Sequence, residues 1–144
     1  MTDIYDCYCN DSKGTAVTEA RFLTIYIEEA HARDEWYLPD SPNASTTRLI
    51  YTHKTIEDRI TAAKRFIEGT GVEMEVVCET MEGNVTDRYG AWPERLYIIV
   101  DRVVVYQGGK GPFGYKLFEV KQWLANKFGM KGELQYNTVP NGCT

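Results

Sequence analysis

The run TIEDRITAAKRFIEGTG, Thr55 to Gly71, constrains this chain more than any other stretch. Thr55 is a suitable N-cap, and Asp58 stands three residues on, where a capping box places its acid. Ile56, Ile60, Ala63 and Ile67 recur at helical spacing, which predicts an apolar stripe on a helix that Gly69 ends, with Gly71 just beyond. Such a helix needs a second layer to cover, and its neighbours supply strands. RFLTIY precedes it, while EVVCE (Glu75 to Glu79), RLYII and RVVVY follow, all short runs rich in β-formers. Only Val100 and Asp101 separate the last two, so a hairpin is expected. A final helix sets Leu117, Val120, Leu124 and Phe128 on one side and stops at Gly129.

Strand, helix, strand, strand pair, helix is an α/β order, and its terminal hairpin with a covering helix points to a thioredoxin-like mixed sheet flanked by helices. With 144 residues the chain is expected to form one domain. Its core is placed at 22–129, after a weakly ordered or helical stretch at 1–21 and before a flexible tail at 130–144. ARDEWYLPDSPNASTTRLIY reads as a long surface loop, and loops of that length are often functional.

The net charge of −5 and the lack of any long basic run argue against nucleic acid as a partner. No apolar run approaches the ~20 residues that span a bilayer, and the acidic, polar start MTDIYDCYCN is no signal peptide. The chain as given is therefore expected to be soluble and intracellular. Cys7, Cys9, Cys78 and Cys143 show no zinc spacing, and two histidines far apart do not suggest a metal site. Free thiols are expected, with Cys78 a small core residue inside its strand.

Chemistry concentrates where FLTIYI runs into EEAH. In extended chain Glu29 and His31 share a face, and Tyr26 is a candidate third member of the row. Tyrosine, carboxylate and imidazole together could relay protons; a strand end meeting water is the plainer alternative. QGGKGPFG lacks the Walker pattern, so Lys110 is either a cation for an anionic ligand or part of a plain connector. His53, just before the helix cap, is a ligand contact or a flank.

Four stretches go beyond generic folding. FLTIYIEEAHARDEW resembles the strand-and-loop signature of the iodothyronine deiodinases, and HKTIEDRITAA, ETM with YGAWPERLYII, and VVYQGGKGPFGY resemble that family in the same order. The likeness spans Phe22 to Phe128. It implies a fold related to the peroxiredoxins and the reductive removal of iodide from a thyroxine-like thyronine. A thiol reductant is the implied co-substrate, no cofactor is bound, and a homodimer is compatible with the family. Tyr26, Glu29 and His31 match the positions that deliver the proton to the ring carbon. His53 and Lys110 match the pair that clamps the two ends of the hormone, with lysine where the family has arginine, which keeps the charge but loses the planar fork. Pro93 matches a site where thioredoxin-like proteins often carry a cis proline.

One departure is large. The family's nucleophile, a selenocysteine or less often a cysteine, follows a Cys-Thr pair about one helix upstream of FLTIYI. That place falls before Met1, so Met1 is expected not to be the natural start, as when a UGA codon is read as a stop. The membrane anchor usual in the family would also lie upstream. The absent nucleophile-bearing strand would sit between FLTIYI and RLYII. Each buried backbone group left unpaired costs ~1–3 kcal/mol, against a domain stability of ~5–15 kcal/mol, so the isolated chain is expected to be marginal, rearranged or aggregation-prone. Two other functions stay open: a catalytically dead iodothyronine-binding relative, and a peroxiredoxin-like thiol redox protein.

Overall fold

The computed structural model describes residues 20–35 and 50–129. Seven elements follow in order: β1 (Leu23–Tyr26), α1 (Ile56–Thr70), β2 (Glu75–Cys78), α2 (Asn84–Tyr89), β3 (Tyr97–Val100), β4 (Val103–Gln107) and α3 (Leu117–Phe128). The result is a mixed α/β chain with small sheets. The expected N-terminal stretch up to residue 19, most of the long loop, the tail, and Cys7, Cys9 and Cys143 lie outside the described residues.

The start of α1 follows its local chemistry. Thr55 Oγ1 accepts from the Asp58 amide at 3.2 Å, and Asp58 Oδ2 accepts from the Thr55 and Lys54 amides at 3.0 Å each, closing a capping box. The end differs from expectation. Gly69 lies inside the last turn, and Gly71, left-handed with φ 63°, caps the helix by donating to Ile67 O. The buried face differs too. It runs through Arg59, Ala62 and Ala63, while Ile60 and Ile67 are exposed. Positions 59, 62, 63 and 66 have the same helical spacing as the expected stripe, so the helix is turned to seat a charged residue inward.

β1 and β2 are parallel, with Leu23 opposite Glu75 and Tyr26 opposite Cys78, and α1 lies within the crossover that a parallel pair requires. Thr24, Tyr26, Val76 and Cys78 share the less exposed face, where the Tyr26 ring meets Phe66 of α1 at 5.8 Å. Leu23, Ile25 and Val77 stay exposed on the other.

β3 and β4 form the predicted hairpin, its turn one residue later than expected, at Asp101 and Arg102, both with positive φ (50° and 68°). Two left-handed residues match the twist of a two-residue hairpin turn. Val105 is the extra residue of a bulge, because Ile98 faces Tyr106 and Ile99 faces Val104. Helix α3 buries Val120 and Leu124 against Leu96, Ile98 and Tyr106, together with Ala20 and Phe22 from the approach to β1, as the spacing of its apolar residues predicts. Among the described residues no ladder joins β1 to β3, so the expected single mixed sheet is divided into two two-stranded pieces. No described helix is long and apolar enough to cross a membrane.

Candidate active site

Tyr26 ends β1, and its hydroxyl donates to Glu29 Oε2 at 3.1 Å. Residues three apart would face opposite ways in extended chain, so the bond forms because the chain leaves the strand after Tyr26. His31 follows in a turn and is half-buried. Extended alternation therefore does not bring these three residues together, although Tyr26 and Glu29 do meet. Burial, and then the Glu29 charge, push the Tyr26 hydroxyl well above its ordinary range.

The long loop has one buried residue near each end, while Arg33, Asp34, Glu35 and Tyr51 beside them are exposed. Ala32 and Ile50 are buried, the Arg33 amide donates to Ile50 O at 2.9 Å, and Asp34 Oδ1 accepts from the Thr52 amide and hydroxyl at 2.8 and 3.0 Å. This closure seats His53 beside Tyr26, with ring centroids 6.0 Å apart. His53 is only 9% exposed, yet neither ring nitrogen has a hydrogen-bond partner among the described residues. Burial, and then the Arg59 charge, hold its pKa below the usual imidazole value, against the opposing pull of Glu29, Asp58 and Glu28. A neutral ring thus offers one donor and one acceptor, neither satisfied among the described residues. It lines a cleft of about 550 Å³ with Tyr51, Thr52, Lys54, Thr61 and Arg65, a size suited to a small organic ligand.

Behind His53 lies a polar cluster that its sequence does not announce. Arg59 Nη1 donates to Glu79 O at 3.1 Å and Thr80 O at 2.7 Å, and stands 3.8 Å from Glu79 Oε2. Both side chains are almost fully buried. The Glu79 carboxylate also accepts from the Thr86 amide at 2.5 Å and hydroxyl at 2.7 Å. Arg59 could have been found as the charged member of an otherwise small and apolar helix face; Glu79 and Thr86 have no local signal.

Lys110 is exposed on the glycine loop after β4. The loop folds tightly: the Gly114 amide donates to Lys110 O at 2.8 Å, and a Cβ on Gly114 would stand 2.5 Å from that oxygen, so glycine is required there. The Lys110 side chain lies over Gly90, at the end of α2. Arg95 ties the same region together, donating to Gly108 O at 2.7 Å and to Gly90 O at 3.3 Å. Nearby, Trp92–Pro93 is cis. No measured contact joins His53 and Lys110. Cys78, the one cysteine among the described residues, has its thiol pKa raised by burial, with Arg59 opposing.

An α/β chain with a half-buried tyrosine–carboxylate pair, and a buried imidazole that has no partner among the described residues and lines a ligand-sized cleft, has the outline of a small-molecule site. The sequence model of the iodothyronine deiodinase family matches residues 15–128, and the chain belongs to that family. Among its relatives, thyroxine 5-deiodinase of Bos taurus is 46% identical over 103 residues, which cover 72% of this chain and 32% of that protein. The human protein of the same name is 43% identical over the same shares of both chains, and that of Aquarana catesbeiana is 45% identical over 73% of this chain and 37% of its own. The chain thus spans about a third of the length of these relatives.

Proposed function

We propose that this chain binds an iodothyronine and supplies the proton-delivering and substrate-holding part of a reductive deiodinase of thioredoxin-like fold. The observation that carries the reading is His53, a neutral imidazole buried at a ligand-sized cleft with neither nitrogen hydrogen-bonded among the described residues. Leaving a buried polar atom unpaired costs ~1–3 kcal/mol, which a phenol hydroxyl removes by donating to one nitrogen or accepting from the other. In this reading Lys110 takes the carboxylate at the opposite end of the ligand. Tyr26 and Glu29, with His31 beyond them, carry the proton that replaces iodine on the ring.

The nucleophile in this scheme is a selenocysteine or cysteine outside this chain, as the family likeness implies. It attacks iodine, the electron pair of the carbon–iodine bond stays on carbon and is protonated, and a thiol reductant then frees iodide. Cys78 suits this role poorly, because burial keeps its thiol protonated.

The test is iodide release from labelled thyroxine with a dithiol present, using protein extended to include the nucleophile. His31→Ala is expected to lower turnover by about 10²–10⁴-fold, the usual range for a general acid. An unchanged rate removes the proton-delivery assignment. Binding of thyroxine with no turnover even in the extended protein favours the catalytically dead relative, and peroxide consumption favours the peroxiredoxin-like one.

A further inference from the structure

Helix α2 poses a problem of support. It has six residues, too few to stand alone, no buried residue, and no side-chain hydrogen bond at its N-cap. Beyond the edge-to-face contact of the Tyr89 and Tyr97 rings at 5.0 Å, polar links at its two ends set its position. At the front, the Thr86 amide and hydroxyl are held by Glu79, which is anchored by Arg59 from α1. At the rear, Arg95 donates to Tyr89 O and Gly90 O and reaches across to Gly108 O. The Tyr97 hydroxyl also donates to Tyr89 O.

One end of this series belongs to the helix that His53 precedes, and the other to the loop that carries Lys110. We propose that the chain of contacts Arg59–Glu79–Thr86, continued along α2 to Arg95, is the spacer that fixes the separation of His53 from Lys110, so that these four are positioning residues for a ligand gripped at both ends. The inference rests on the reading of His53 and Lys110 as the two grips. A buried ion pair adds little net stability over apolar residues of the same volume, whereas its directional bonds hold one geometry. Two grips strengthen each other only when the ligand can reach both at once, so a small change in their spacing weakens a two-ended ligand and spares a one-ended one.

The experiment compares two probes on the 144-residue chain. Thyroxine offers a phenol and a carboxylate; 2,6-diiodophenol offers the phenol end alone. Thr86→Val keeps shape and backbone but loses the hydroxyl bond to Glu79, and Arg95→Lys keeps charge but loses the fork. In each, calorimetry is expected to show thyroxine weakened about tenfold, equivalent to about 1.4 kcal/mol, with 2,6-diiodophenol changed less than twofold. Thr86→Ser, which retains the hydroxyl, restores the thyroxine affinity. Equal weakening of both probes, or no effect on thyroxine, overturns the spacer. Thyroxine binding no tighter than 2,6-diiodophenol in the unaltered chain overturns the two-grip reading, and the spacer with it.

Discussion

The two halves of the molecule differ in what they bury beside apolar side chains, which both contain. In the β3–β4–α3 half the interior is an apolar cluster around Val120 and Leu124. In the β1–α1–β2 half, Arg59, Glu79 and His53 are buried, the only charged or polar residues so placed among those described. Apolar burial is non-directional and stabilises in proportion to area, whereas buried charge must be matched group by group. The first half is thus a scaffold that tolerates repacking, and the second is a device that tolerates little. The His53 end of the candidate site lies on the second, and Lys110 on the first.

The largest expected effect sets the halves directly against each other. Glu79→Ala leaves the Arg59 guanidinium buried without its counter-charge and should cost about 3–5 kcal/mol. Leu124→Ala in the apolar half removes a well-packed side chain and should cost about 2–5 kcal/mol, the loss depending on how far the site collapses. Urea denaturation of both variants measures the difference. If the Leu124 variant proves markedly the weaker, the contrast between device and scaffold breaks.

A smaller effect comes from pH and belongs to the polar half alone. The folded state holds the His53 pKa down, so the unfolded chain binds the proton more readily. The stability from its neutral form is therefore complete above the unfolded value of about 6.5 and is lost as pH falls through it. Denaturation midpoints should drop between pH 7.5 and 5.5, and His53→Phe should flatten that part of the profile. Asp34 and Asp58, held below the ordinary carboxylate range chiefly by backbone amides, act in a more acidic window. An undiminished slope in His53→Phe would sink the assignment.

The smallest effect sharpens the scaffold side. Arg102 sits at φ 68° in the β3–β4 turn, a conformation that disfavours a side chain by about 1–2 kcal/mol. Arg102→Gly should raise stability by about 1 kcal/mol after glycine's own entropic cost, with ligand affinity unchanged. A lowered melting temperature would show that the arginine has a role the turn geometry does not reveal.

What could be read from the sequence was what local spacing determines. The Thr55–Asp58 capping box, the apolar face of α3 and the hairpin all depend on residues a few positions apart. The end of α1 was misplaced because Gly69 and Gly71 are equivalent by composition, and only the left-handed turn at Gly71 separates them. Its buried face was missed for a different reason: periodicity counts apolar residues, and Arg59 is buried by partners some twenty positions away. Of the site, local sequence offers His53 and Lys110 only as candidates beside plainer alternatives, and the family resemblance alone pairs them as the two grips. Tyr26 and Glu29 were named from an extended geometry, although what joins them is the chain's departure from it.

The bonds from Arg33 to Ile50 and from Asp34 to Thr52 draw together two points of the chain some seventeen to eighteen residues apart. Loop closure depends only weakly on contour length, each doubling adding about 0.6 kcal/mol. The closure at 33–34 and 50–52 can therefore hold the neighbouring imidazole in place at little cost whatever length of chain it spans.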